Sequence, residues 1–402
     1  VDFERCSKEF DFFIRMISIM ELIKDTWAVI LSYLDTPQKI VMSAVNKWFN
    51  QLVPQCVTDI NCIQSLWVPT NKLITFIALE SLHIHPQSDI TAAHISSLRN
   101  LTSLDLSACQ IGDQALVGLK LRSLALGSHC KVTSITMLTT LTHLDLTGNS
   151  SINDLTSLTN ITSLILNDHA RYERNDAHIS HLTALTYLNV CNSYGITTVA
   201  PFTRLTTLIM HFNNIIDPVS VRALSSLTYL DLSHNFCMRD EHIVALVRLT
   251  TLKLSNSENI TDEGLRQLTA ITHLDLCENR SVTTLAVTRL GNLQVLGLRR
   301  NTMIYFVPDQ VRDLDIRGNS IITGKKLQLL TTLTALTLDA NDIITGDDIS
   351  VLTNLTSISL NYNMMISNAG ITHMTKLKDI YLYGNTQIQR YKLGSEIRIH
   401  AD

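Results

Sequence analysis

Residues 249–279 read LTTLKLSNSENITDEGLRQLTAITHLDLCEN. One phrase, L-x-x-L-x-L-x-x-N, occurs twice in that stretch: Leu249-Leu252-Leu254-Ser257 and Ile271-Leu274-Leu276-Asn279. The alternating L-x-L predicts a short strand with one buried face. Between the two phrases, Thr261–Leu268 (TDEGLRQL) predicts a short helix, capped by Thr261 and carrying acids in its first turn. One such strand-and-helix coil cannot bury its apolar face alone, so the fold depends on how far the phrase extends.

It extends over most of the chain. A degenerate copy, Leu79-Leu82-Ile84, comes first, and Leu377-Ile380-Leu382-Asn385 comes last. Fifteen copies follow one another at steps of 18 to 24 residues, mostly 20 or 22. Asn closes nine of them, where its side chain can bond the backbone of the turn as a buried ladder. A second apolar ladder lies three residues later: Val132, Ile152, Ile196, Ile216, Met238, Ile260, Val282, Ile304, Ile322, Ile344, Ile366 and Ile388. Thr follows the first Leu in ten of the fifteen copies, which suits an exposed strand. The 20-residue copies leave less room on the outer side, so a turn of 3₁₀ helix is expected there.

This phrase resembles the leucine-rich-repeat family, with its 22-residue intracellular and internalin-like subclasses nearest. The expected fold is α/β: a solenoid of about 15 repeats with a curved parallel sheet, and a small N-terminal α-helical module. Fifteen strands about 4.8 Å apart would span roughly 70 Å.

Composition bounds the function. The 402 residues are 45% hydrophobic and 17% charged, which excludes wholesale disorder. A net charge of −4 argues against a nucleic-acid partner. No uncharged apolar run reaches membrane-spanning length, because Asp11, Arg15 and Glu21 interrupt the best stretch, 10–23. That stretch also lacks the basic start of a secretion signal. Eight cysteines form no CxxC pair and fit no zinc or disulfide framework, so they read as buried thiols in a reducing compartment. Six N-x-S/T sequons, at Asn100, Asn149, Asn160, Asn259, Asn279 and Asn354, look incidental; Asn149 and Asn279 fall on the buried ladder.

Residues 20–58 show a different pattern. Trp27, Ile30, Leu31 and Leu34, then Ile40, Val41, Ala44 and Val45, recur at helical spacing around an Asp35-Thr36-Pro37 break. Leu31-Ser32-Tyr33-Leu34-Asp35 and Val45-Asn46-Lys47-Trp48-Phe49 resemble the F-box, although Ile23-Lys24 replaces its leucine-proline start. The resemblance covers about a tenth of the chain and stands directly before the repeats, an order known in that family. It implies docking on a Skp-type adaptor of a cullin ubiquitin ligase, with Ile30, Leu31, Leu34, Ile40, Val45 and Trp48 mixing adaptor contact and internal packing. It also implies a substrate receptor that holds an unidentified protein target on the concave repeat face. The alternative is a plain interaction scaffold whose helices cap the first coil. An internalin-like surface adhesin is a third reading, disfavoured by the unpaired cysteines. The expected location is the cytoplasm or nucleus, or the host cytosol for a pathogen- or virus-encoded chain.

The expected organisation is 1–19 an extension without assigned role, 20–58 the F-box-like module, 59–76 a linker and cap, 77–385 the repeats and 386–402 a C-terminal cap. Within that cap Ser395–His400 suits an edge strand. On the strand face, Tyr187, Ile209, His211, Phe212, Tyr229 and His234 should gather across three neighbouring strands as partner anchors. Arg299, Arg300, Arg312 and Arg317, with Asp313 and Asp315, form either an anion grip or a self-neutralising network. Tyr362, Tyr381 and Tyr383 suit a third contact or an aromatic cap, and the charged excursion 167–178 could supplement the face. Cys191 and His211 share a strand position, but no orienting acid accompanies them, so an enzyme is not expected. His83 and His85 fall short of a metal site, and no cofactor motif is present.

Overall fold

The computed structural model describes residues 57–61, 75–84, 90–167 and 175–401. Nearly all of the F-box-like segment, with Ile30, Leu31, Leu34, Ile40, Val45 and Trp48, lies outside the described residues, as do His85 and 168–174 of the charged excursion. The chain divides into two compact units, Val1–Ile161 and Thr162–Asp402.

The first unit carries β1 (Asp59–Asn61), β2 (Ser81–His83), β3 (Ser103–Asp105), β4 (Ser123–Ala125) and β5 (His143–Asp145). Each pairs in parallel with the next. The second unit carries β6 (Ser163–Ile165), β7 (Tyr187–Asn189), β8 (Thr207–Ile209), β9 (Tyr229–Asp231), β10 (Thr251–Lys253) and β11 (His273–Asp275). It continues with β12 (Val295–Gly297), β13 (Asp313–Asp315), β14 (Ala335–Thr337), β15 (Ser357–Ser359), β16 (Asp379–Tyr381) and β17 (Arg398–His400). These too are parallel and in sequence order, with the central leucine or isoleucine of each strand opposite that of the next: Leu230, Leu252, Leu274, Leu296. The fold is a leucine-rich-repeat solenoid.

Fifteen strands match the fifteen copies, and two lie outside them. β1 falls in 59–76, assigned from sequence to a linker and cap, and its Ile60 pairs in register with Leu82. β17 is the edge strand expected in the C-terminal segment, with Ile399 in register with Ile380.

Copy length decides what stands opposite the strands. Every 22-residue copy, and the one of 24, carries a helical turn, such as Ala92–Ser97, Asp176–Ile179, Asp262–Leu265 or Gly346–Ile349. The 20-residue copies have a 3₁₀ turn, as at Asp113–Leu116, or turns alone. Two fewer residues cannot complete an α-turn and still return the chain to the next strand. The Thr261 cap is present: its hydroxyl accepts from Glu263 N–H. The first helical residue also clamps the next coil. Asp262 accepts from the Thr283 backbone at 2.7 Å and its hydroxyl at 2.5 Å, and Asp240 serves Thr261 at 2.7 Å in both bonds.

Both predicted apolar ladders are buried. Leu252, Leu254, Leu274 and Leu276 are at most 2% exposed, and so are eleven of the twelve second-ladder residues, with Ile388 at 5%. Each such side chain contributes on the order of 1.5–3 kcal/mol by leaving water, set against the entropy of ordering the coil. The Asn ladder binds two turns at once. Asn301 Nδ2 donates to Leu276 O at 2.8 Å and Asn279 O at 2.9 Å, while its Oδ1 accepts from Met303 and Ile304 N–H. The substitute differs from expectation at one copy: His129 is exposed, and Cys130 takes the buried place with its Sγ on Ile111 O.

Thr is more than a residue suited to strands. Thr228 O accepts the backbone N–H groups of Thr250 and Thr251 and also the Thr250 hydroxyl at 3.1 Å. The same hydroxyl bond recurs at Thr206, Thr228 and Thr272, making a third ladder. The sequon asparagines are engaged as well. Asn149 and Asn279 are buried on the ladder, and the amides of Asn100, Asn160, Asn259 and Asn354 donate to carbonyls of the preceding coil.

Candidate functional site

The buried ladders leave four side-chain rows of each coil on the strand face: the first and third strand residues, and the two residues that follow the last leucine. Along the third-residue row, β9 to β14 present Asp231, Lys253, Asp275, Gly297, Asp315 and Thr337. Along the first-residue row they present Tyr229, Thr251, His273, Val295, Asp313 and Ala335.

The last of these rows has a conformational demand that the sequence pattern did not announce. Its residue just before the ladder position is left-handed in coil after coil: Asn192, Phe212, His234, Asn256, Glu278, Arg300, Ala340 and Tyr362 have φ between 47° and 55°. Gly148, Gly318 and Gly384 hold the same place. That turn aims the N–H at the next coil, as in Phe212 to Ser233 O at 3.1 Å and His234 to Ser255 O at 2.8 Å. Gly and Asn adopt this region readily, whereas a bulky residue there costs about 1–2 kcal/mol. Phe212, His234, Arg300 and Tyr362 are therefore kept against a backbone preference.

Three of the aromatic and apolar anchors predicted from sequence, His211, Phe212 and His234, make ring contact with one another. His211 and Phe212 have centroids 4.4 Å apart, Phe212 and His234 stack at 4.3 Å, and His211 and His234 stack at 5.1 Å. Phe212 is 43% exposed. Tyr194, Ile215 and Phe236, which follow the ladder positions of the β7, β8 and β9 coils, are exposed apolar residues that sequence reading did not single out. His211 Nε2 is buried and has no hydrogen-bond partner among the described residues. Burial pushes the His211 imidazole below its usual range; nearby Asp231 opposes this, and His234 and Lys253 reinforce it. Tyr187 and Ile209 sit half-buried on β7 and β8. Tyr229 is met by the Lys253 ammonium 5.6 Å from its ring centre.

The arginines do not converge on an open anion site. Arg299 and Arg300 share Glu278 at 3.1 Å and 3.6 Å. Arg317 grips Asp315 through Nε at 3.0 Å and Nη2 at 2.6 Å, and Arg312 donates to Thr332 O. Farther along, Tyr362 meets Tyr383 edge-on at 5.1 Å, and Tyr381 stacks on His400 at 4.3 Å.

Over β10 to β14 the strand face sinks into a hollow of about 520 Å³, lined by Tyr229, Lys253, His273, Asp275, Asp313 and Arg317 among others. Its cause is Gly297: the third-residue row lacks a side chain there, and a Cβ would stand 2.9 Å from Asp275 Oδ1. A strand glycine is the one sequence signal that could have flagged the place.

The geometry at Cys191 and His211 does not favour a thiol nucleophile. Burial pushes the Cys191 thiol up to about 11, which keeps it protonated beside His211. Among the described residues no group of three or more His, Cys, Asp or Glu is placed to hold a metal ion. His83 pairs with Asp105 at 2.5 Å instead. No helix among the described residues is long and apolar enough to cross a membrane.

A family match agrees with the repeat fold. The Leucine Rich repeat family matches residues 97–120, 138–155 and 249–268. No curated protein matches the chain. Among solved structures, an internalin (InlF) from Listeria monocytogenes is 26% identical, over 78% of this chain and 88% of that one, with a TM-score of 0.45. The functional domain of InlJ from the same organism is 21% identical, over 86% and 72%, at 0.45. TLR13 in a complex with ssRNA13 is 20% identical, over 83% and 55%, at 0.44.

Proposed function

We propose that this chain is a non-catalytic recognition protein. It holds a protein partner on the strand face of its second unit, and residues 20–58 deliver that partner to a Skp-type adaptor and its cullin ligase. One observation carries the capture half: Phe212 and His234 stack, with Phe212 43% exposed, at backbone positions that disfavour such residues. Aromatic groups kept in solvent at a conformational cost suit partner anchors. The ligase half rests on the F-box resemblance and on its place before the repeats. Ubiquitin transfer would then be accelerated by proximity alone. Buried and half-buried cysteine thiols fit a reducing compartment.

The test has two arms. In the first, the full chain, Leu34→Asp in the full chain, and a chain starting at Val57 (which keeps β1) are each co-purified with a Skp adaptor. Binding by the wild-type chain alone, with both variants folded by circular dichroism, supports the ligase role. No binding by the wild type removes it and leaves a repeat scaffold. In the second arm, a photo-crosslinking residue replaces Phe212 or the outward-facing Val219. Partner adducts from position 219 only would end the assignment to the strand face.

A further inference from the structure

The hollow over Gly297 is lined by charged groups of both signs, with acids in excess. Three carboxylates line it, Asp275, Asp313 and Asp315, against two cations, Lys253 and Arg317. Both cations are already engaged. Arg317 is fully committed to Asp315 by a two-point grip. Lys253 lies 3.8 Å from Asp231 and against the Tyr229 ring. Asp275 accepts from the Cys277 N–H at 2.9 Å and shares the field of Lys253, its neighbour in register on β10, with Asp231.

Asp313 stands apart. Its carboxylate makes no hydrogen bond and no ion pair among the described residues, and His273 is the one basic group whose field reaches it. It sits beside Asp315, and burial together with that neighbour pushes its pKa above the usual carboxylate range, opposed by His273. A half-buried acid with no partner destabilises the free protein. An entering anion would worsen this, and a neutral side chain would leave it as it is. A cation answers it. The lining groups also include Leu252, Leu274, Val295 and Leu296, apolar surface suited to a methylene stem.

We propose that this hollow receives the arginine or lysine side chain of an extended segment of the protein partner, with its head between Asp275 and Asp313 and its stem over Gly297. The proposal rests on the partner-capture reading and names the chemistry of one contact within it. A metal ion is a poor occupant, since no three ligating groups converge among the described residues.

The test uses the full chain with labelled Leu and Val methyls, titrated with N-acetyl-arginine amide, its lysine analogue, and N-acetyl-citrulline amide as the uncharged control. Saturable shifts at Leu274, Val295 and Leu296 are expected with arginine and lysine, and binding about tenfold weaker or worse with citrulline. Asp313→Asn should weaken the arginine effect about tenfold and leave the fold intact. Gly297→Val should abolish it by filling the space. Equal response to citrulline, shifts confined to other methyls, or no saturable shift would each overturn the assignment. Such a failure is separable from failure of partner capture: adducts through position 212 in a chain indifferent to arginine would keep capture and discard the hollow.

Discussion

At the scale of single residues, position 340 shows how the left-handed row can be tested without removing an aromatic or charged side chain. Ala340 holds φ 47° and is exposed. Glycine there relieves about 1–2 kcal/mol of strain and loses about 0.4–1 kcal/mol through the freer unfolded chain. Ala340→Gly should therefore stabilise by roughly 0.5 kcal/mol, read as a higher urea midpoint; a lower midpoint would refute the strain assigned to this row. The ladder residue Asn301 should behave in the opposite way. Asn301→Ala strands four backbone groups in a site that is 0% exposed, and about 3 kcal/mol of stability should go, with hydrogen-exchange protection lost first around 276–304. Asp313 gives a pH signature. Because its folded pKa is raised, its carboxylate opposes folding at neutral pH, and that opposition fades as pH falls through the folded value toward about 4. Asp313→Asn should thus be the more stable protein at pH 7 and lose the advantage in acid. A constant difference across that range would sink the account.

At the scale of elements, the Asp-to-Thr clamps join each helical turn to the next coil. Asp262→Ala removes two bonds to Thr283 and an acid at a helix start, so a loss of about 1–2 kcal/mol is expected in chemical denaturation, with Thr283→Val recovering little of it. In the first unit, Asp113 makes the same clamp to Thr133 and Ser134. Burial tends to raise its pKa, but those hydrogen bonds outweigh it and hold the carboxyl below its usual value. The stability it supplies is therefore full above about pH 4, the unfolded range, and is lost as pH falls through the lower folded value. Asp113→Asn should flatten that acid limb.

How much of this was legible depends on how local each signal is. Leu252, Leu254 and Ile260 announce their burial within one copy, and so does the Thr261 cap. The presence or absence of a helix follows from copy length alone. The one-residue shift from His129 to Cys130 is not local: Cys130 bonds Ile111, in the preceding coil. Nor is the hollow, which exists because Gly297 lies between Asp275 and Asp315 across strands, 22 and 18 residues away in sequence. The left-handed row was hidden because Phe212, Glu278 and Tyr362 carry no turn signature. β1 carries no repeat phrase, since only Ile60 of its three residues is apolar.

At the scale of the whole molecule, the strand face and the thiols divide labour. Cysteines fill places in or under the coils, and burial pushes Cys191 up to about 11 and Cys277 to about 12. The five described cysteines carry thiols. Native protein at pH 8 should accordingly react with a thiol reagent far more slowly at these five than urea-unfolded protein does, as read by mass mapping of the labelled sites. Prompt native labelling of Cys277 would contradict its placement.

The threonine hydroxyl ladder also bears on how the chain finds its structure. Its bonds join residues 20 to 22 apart at Thr206, Thr228, Thr250 and Thr272 alike, and the strand pairings step by similar distances. The loop that must close to add a coil is thus nearly constant, however many coils already stand. Relative contact order falls as such a chain lengthens, and a coil can zip onto any neighbour already formed. Folding time for this architecture is then governed by nucleating the first few coils, and each later coil is a short, independent act of growth.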